Sequence, residues 1–384
     1  MADAADRRAN PEGELCLRLR VHDGCIAHLD IESTRQDVAG VLLRGRSPAQ
    51  AQAAVPLLFS VCSRSQGAAS ALAFAAAAGQ GAIPHTLAAC GAAVAEEMVR
   101  EHSLRALFDW PLALHQKPSS AAIVAARSAL AWNARAQSSD DVRRIARDIA
   151  AQAFGGSVEE WLALRTPAQM RAWAAAGSTA CACFIRSSID DAEQQSPAAH
   201  GTVPDPQWLE SADLANGGAT MLEALAAACD TDARFAQRPT WFGAPLETGA
   251  LARHRSDPLI AELLRSSRSR VPARLIARLR ELALLLTGAY TPSVGVFQPA
   301  GEGAIAWVEN ARGLLLHRVL LRDGSVDAYR IVAPTEWNFH PEGALAAELL
   351  GMPARDLTGV KHRAEQLVHS LDPCVPCRIE VDGA

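Results

Sequence analysis

Two hydrophobic periods divide the chain. Near the N-terminus Leu15, Leu17, Leu19 and Val21 alternate with Cys16, Arg18 and Arg20, the period-two signature of a strand with one buried face. His22-Asp23-Gly24 supplies a turn into Cys25 to Ile31, so residues 14–33 are predicted to form a hairpin. Ser47-Pro48 then gives a helix its N-cap and first position. From there to residue 290 the chain is rich in Ala and Leu at helical spacing, broken by proline and glycine. The pattern predicts helices at 48–58, 61–79, 85–107, 119–136, 140–153, 158–175, 208–230, 258–267 and 272–288. Residues 186–206, polar and with three prolines, read as an exposed loop. Strands return at 303–310, 313–321 and 325–333, with Arg322-Asp323-Gly324 as a second hairpin turn. A last helix, 355–369, leads into a short cysteine-bearing tail, 371–384. A helical body with small β elements from both ends predicts an α+β fold, in one domain over 1–384 whose two ends meet.

Composition narrows the classes. With 384 residues, 49% of them hydrophobic, the chain can bury a large core. A net charge of −5 gives no electrostatic case for nucleic acid or an anionic membrane. Met1 to Gly13 is polar and lacks the apolar stretch of a secretion signal, and no segment has the length and apolarity of a membrane span. A cytoplasmic location is expected, in which nine cysteines stay as reduced thiols.

Candidate chemistry centres on Leu371-Asp372-Pro373-Cys374-Val375-Pro376-Cys377. Two cysteines three apart on a turn stiffened by proline can hold one metal, but alone they fit half a zinc site, a redox pair or two unrelated thiols. Four more segments lie upstream. The first is Leu42-Leu43-Arg44-Gly45-Arg46-Ser47-Pro48, followed by Leu58 to Gln66; the second runs from Pro239 to Arg253. The third is Glu309-Asn310-Ala311-Arg312-Gly313, and the fourth is Pro334-Thr335-Glu336-Trp337-Asn338. This order resembles the large, catalytic subunit of NiFe hydrogenases, which carries a Cys-x-x-Cys near each end and holds nickel and iron with four thiolates. The resemblance covers both ends and one central segment; residues 110–230 match nothing in it.

The departures matter as much. Where the hydrogenase pattern reads Cys-Gly-x-Cys-Pro-x-x-His, this chain has Phe59, Ser60, Val61, Cys62, Ser63, Arg64, Ser65 and Gln66. The resemblance makes Cys62 and Cys377 the iron-contacting thiolates and Cys374 one nickel ligand, with Phe59 in place of the other. Three thiolates suit an iron fragment better than a bimetallic site, which argues against nickel. Gly40 stands where a hydrogenase needs a proton-relaying glutamate, and Glu380, four residues from the end, stands where the family has a histidine. Turnover as a hydrogenase is not expected.

What remains resembles the HupK-type hydrogenase accessory proteins, which look like shortened large subunits. The resemblance implies a non-catalytic scaffold in hydrogenase maturation that carries the Fe(CN)2(CO) fragment before transfer. Its partners would be maturation chaperones of the iron-fragment pathway and the hydrogenase large subunit, with no nucleic acid and no membrane. Soft thiolates suit a low-valent iron fragment, and Arg312 and Thr335 can donate to cyanide nitrogens. Two other readings stand beside it: a metal-free mimic of the large subunit that works by protein contacts, and a redox enzyme with a reduced site. Elsewhere bland roles are expected. Cys181 and Cys183 read as core, Glu247 and Arg253 as structural, and His362 and His369 as sharing a packed or solvated helix face. The arginines from Arg265 through Arg268, Arg270, Arg274 and Arg278 to Arg280 read as a solvated helix face.

Overall fold

The computed structural model describes residues 13–59, 61–81, 83–133, 138–193, 207–210, 213–214, 218–267 and 269–383. Its strands are β1 (Leu15–His22), β2 (Cys25–Ser33), β3 (Gln207–Trp208), β4 (Leu246–Glu247), β5 (Val294–Phe297), β6 (Ala304–Asn310), β7 (Gly313–Arg322), β8 (Ser325–Val332) and β9 (Cys377–Gly383). β1 and β2 form the expected hairpin, with Leu17 opposite Ile31. Asp23 and Gly24 both have positive φ, the conformation a two-residue primed turn requires. The end of the chain joins this hairpin: β9 runs parallel to β1, with Leu15 beside Cys377. The two ends meet, and residues 377–383 form a strand.

A second sheet, in the order β5-β6-β7-β8, is antiparallel throughout. β6 is buried along its whole length, which explains its near-continuous apolar run from Ala304 to Val308. One side packs Ile305, Trp307, Leu314 and Leu316 against Leu222, Leu225, Phe235 and Trp337. The other packs Ala306, Val319, Val326 and Tyr329 against Ala39, Leu43, Leu72 and Phe74. The small residues of the helix Ser63–Ala77 let it lie close on that side.

Helices fall where the periodicity puts them, with ends reset by proline and capping residues. Pro56 sits in a 3-10 turn, Val55–Leu58, that closes the helix Pro48–Ala54. The stretch predicted at 158–175 is two helices, Val158–Leu162 and Pro167–Ala176. Thr166 caps the second and Pro167 opens it. Within the stretch 208–230 the described residues include one long helix, Gly218–Thr231, while Trp208 pairs with β4. The helix Ala180–Glu193 was not foreseen, so residues 186–193 are helical rather than loop; 194–206 lie outside the described residues.

The chain divides into two compact units. One comprises the described residues of 1–91, 198–249 and 293–384, the other those of 92–197 and 250–292. The three sheets, the two-stranded β3-β4 pair included, and every segment singled out above through Gly249 and from Glu309 onward belong to the first. In the second, the helix Val271–Leu286 is buried on almost all sides. This corrects the reading of the arginine row: Arg270, Arg274, Arg278 and Arg280 are buried, Arg265 alone is exposed, and Arg268 lies outside the described residues. Charge compensation makes this burial tolerable. Arg280 Nε donates to Asp257 Oδ2 at 3.0 Å and its Nη1 to the Leu164 carbonyl at 3.1 Å. Glu281, with no exposure at all, accepts from Arg253 Nη2 at 2.6 Å and Nε at 2.7 Å. It also meets Nε2 of His102 and of His254, each at 2.9 Å. Arg253 is thus structural, as its sequence context indicated, with Glu281 as partner.

Candidate functional site

Three of the upstream segments converge through buried hydrogen bonds. Asn310 Oδ1 accepts from the backbone N–H groups of Arg312 and Gly313 at 3.0 and 3.2 Å, shaping the turn from β6 into β7. Gly313 has φ 139°, and a Cβ there would stand 2.5 Å from Thr248 Cγ2. The close approach lets Thr248 Oγ1 accept from the Leu314 N–H at 3.0 Å. Asn338 completes the join: its Oδ1 accepts from the Thr248 N–H at 2.9 Å and its Nδ2 donates to the Arg312 carbonyl at 3.2 Å.

The cysteine segment docks on this frame. The helix Leu357–Leu371 ends at Asp372, whose left-handed conformation turns the chain. Arg312 Nε faces Asp372 Oδ2 at 3.8 Å, and both side chains are buried. Two residues on, the Cys374 N–H donates to Thr335 Oγ1 and the Thr335 hydroxyl donates back to Cys374 Sγ, both at 3.1 Å. Arg312 and Thr335 are therefore brought to the segment that holds Cys374. Arg35, which no motif had singled out, donates from Nη2 to Cys374 Sγ at 2.7 Å. Its Nε lies 3.9 Å from Glu336 Oε1. Burial pushes the Glu336 carboxyl up against the opposing pull of Arg35 and Ser33. Arg35 is itself held firmly protonated: although burial opposes its charge, the fields of Cys374, Glu336 and Cys62 favour it.

Cys62 precedes the helix Ser63–Ala77 as its N-terminal boundary residue and is buried. Gln66, at the position where hydrogenases have histidine, donates from Nε2 to Cys62 Sγ at 3.5 Å. Gln66 Oε1 accepts from His317 Nε2 at 2.8 Å, and His317 Nδ1 accepts from the Tyr329 hydroxyl at 2.6 Å, which assigns a neutral imidazole. Burial pushes the His317 imidazole down to about 3. Folding thus excludes a proton that the unfolded chain binds below its ordinary value of about 6.5. The stabilisation is complete above that pH and is expected to fall by about 1.4 kcal/mol per unit as pH drops toward 3. Urea midpoints of the wild type and of His317→Gln measured from pH 7 to 4 check this; parallel profiles would refute it.

Cys377 opens β9 beside Leu15 and is half-buried. Burial, with Cys16 and Glu14 adding in the same direction, pushes its thiol up to about 12. Among the described residues, no three His, Cys, Asp or Glu side chains are gathered as a ligand set for a metal ion. None of the nine cysteines, all among the described residues, is in a disulfide; Cys181 and Cys229 are buried in the core, and Cys183 is half-buried. A cavity of about 210 Å³ adjoins Arg35, lined also by Glu336, Phe59, Leu57, Ala236 and Ile331. No helix among the described residues is long and apolar enough to cross a membrane.

The fold and this frame define a class. A family model for nickel-dependent hydrogenase matches residues 248–380, which include the frame, Arg312, Thr335 and both tail cysteines. The NiFeSe hydrogenase of Desulfovibrio vulgaris Hildenborough superposes with a TM-score of 0.55 at 17% identity, covering 92% of this chain and 94% of that one. The fold is that of a nickel–iron hydrogenase large subunit. Within that class the chain is similar to the hydrogenase expression/formation protein HoxV of Cupriavidus necator, 32% identical over 91% of this chain and 92% of that one. It is similar also to the expression/formation protein HupK of Rhizobium leguminosarum bv. viciae, 33% identical over 88% and 89%. The chain belongs to this HoxV/HupK family of hydrogenase expression/formation proteins.

Proposed function

We propose that the protein serves hydrogenase maturation as a non-catalytic scaffold that holds the Fe(CN)2(CO) fragment on cysteine thiolates before it passes to the large subunit. The observation that carries the reading is the docking of the Cys374 segment on the Thr248–Asn310–Asn338 frame through Arg312 and Thr335. Family membership supplies the process: the named relatives are expression/formation proteins.

The donor chemistry fits such a cargo. An iron that brings three diatomic ligands of its own asks the protein for a pair of soft thiolates rather than a full set. Cys62 and Cys377 are the pair we assign, with Cys374 as a third. Cys377 must lose its proton when it ligates, so loading releases protons. The Thr335 hydroxyl holds the Cys374 sulfur in place. Arg312, whose Nε faces Asp372, is the donor assigned to a cyanide nitrogen. Hydrogenase turnover is not assigned, for two residue-level reasons. Phe59 brings no thiolate, and Gly40 has no side chain to relay a proton, only a backbone N–H that donates to the capping Asp37 Oδ1. The partners that follow are chaperones of the iron-fragment pathway and the hydrogenase large subunit, in a reducing compartment such as the cytosol.

The test is infrared spectroscopy of protein purified without oxygen from cells that express the maturation system. Bands of metal-bound CO and cyanide are expected in the wild type and absent in Cys62→Ala and Cys377→Ala. A blank wild-type spectrum with iron at background would replace the carrier by a large-subunit mimic that acts through its surface.

A further inference from the structure

Around Arg35 a thiol and a carboxylate converge on one partly buried positive charge. Its Nη2 donates to Cys374 Sγ at 2.7 Å, Glu336 Oε1 lies 3.9 Å from its Nε, and Cys62 acts on it electrostatically. A thiol and a carboxylate disposed about a cation are donors that a soft divalent metal ion would also take. Here the cation is a side chain. A guanidinium is permanently charged, donates through planar N–H groups and has no vacant orbital for a sulfur lone pair. The cavity on its other side is walled by Phe59, Leu57 and Ile331, which offer no ligand atom.

We propose that Arg35 plugs a cation site between Cys374 and Glu336, and so keeps a divalent metal off Cys374. A dication at these donors would sit beside a fixed positive charge in a poorly solvated place, where repulsion is only weakly screened. Removal of the plug exposes the donors. Arg35 is then a specificity-determining residue: Cys62 and Cys377 stay available as the pair assigned to the iron fragment, while a second metal ion is refused beside Cys374. That the refused ion is nickel, and that iron is the accepted one, rests on the carrier reading; the plug itself does not.

The probe is Co2+ alone, titrated without oxygen into the full chain and read by thiolate-to-cobalt charge-transfer absorption. Arg35→Ala is expected to bind one equivalent at least ~100-fold more tightly than the wild type. Arg35→Lys, which keeps the charge, should behave as the wild type, and Cys374→Ala in the Arg35→Ala background should erase the gain. Circular dichroism confirms folding, and Arg35→Gln replaces Arg35→Ala if the latter fails to fold. Equal binding by wild type and the neutral variants overturns the proposal, as does a gain that survives loss of Cys374. An empty infrared spectrum from the wild type, with the cobalt gain present, would sink the carrier and leave the plug standing.

Discussion

Glu281→Gln is expected to lower the stability of the second unit by about 3–5 kcal/mol, the loss that follows when one partner of a buried charge network is removed. The carboxylate is fully buried, and four nitrogens from Arg253, His102 and His254 close on its two oxygens. Despite burial, which opposes its charge, these partners hold it well below the usual carboxylate range, with Arg253 the largest influence in that direction. An amide of the same size replaces one accepting oxygen by an NH2 that faces donors, and leaves the Arg253 charge without its counter-ion. Hydrogen exchange along Val271–Leu286 is the direct measurement, since two units need not unfold together. Protection within a factor of ten of wild type would show that other groups neutralise Arg253. Acid acts the same way: stability derived from a depressed carboxylate is intact near neutrality and lost as pH falls through its folded value.

The second large effect is expected at Asn338. Its side chain satisfies the Thr248 N–H and the Arg312 carbonyl, both buried, and so reinforces the tie that the Leu314 N–H makes to Thr248 Oγ1. Asn338→Leu keeps the volume and orphans both groups, at a cost of about 2–5 kcal/mol. The consequence reaches the cysteines, because Arg312 is the link to Asp372 and the Cys374 turn. Faster exchange is expected at 310–314 and 372–374 together. A response confined to residues next to position 338 would mean that the frame does not transmit to the thiol segment.

Much of the fold was legible because its signals are local. The β1–β2 alternation, the Asp-Gly turns at 23–24 and 323–324 and the Ala/Leu periodicity each act over a few residues and reappear nearly at their predicted limits. Boundaries failed where a local signal was overruled, as at Trp208, drawn into a strand by its partner Glu247. The buried arginines failed for a related reason. An arginine row along a helix reads as solvated unless its counter-charges are known, and Asp257, which meets Arg280, lies 23 positions away. At the site, Cys62, Cys374, Cys377, Arg312 and Thr335 were marked by spacing and resemblance. Arg35 was not, since its contact with Cys374 spans 339 positions and follows no motif. Gln66 was noticed only as a missing histidine; its chain through His317 to Tyr329 requires the sheet to be folded first.

The parallel pairing of β9 with β1 has a consequence for the timing of synthesis. A ribosome that adds roughly 5–20 residues per second needs on the order of 20–70 s to traverse the 339 positions between Arg35 and Cys374. During that interval the β1–β2 hairpin has an open edge where β9 will later lie, the kind of edge that invites adventitious strand pairing. The contact between Arg35 and Cys374 therefore forms late in synthesis, and a chain halted before residue 374 cannot make it.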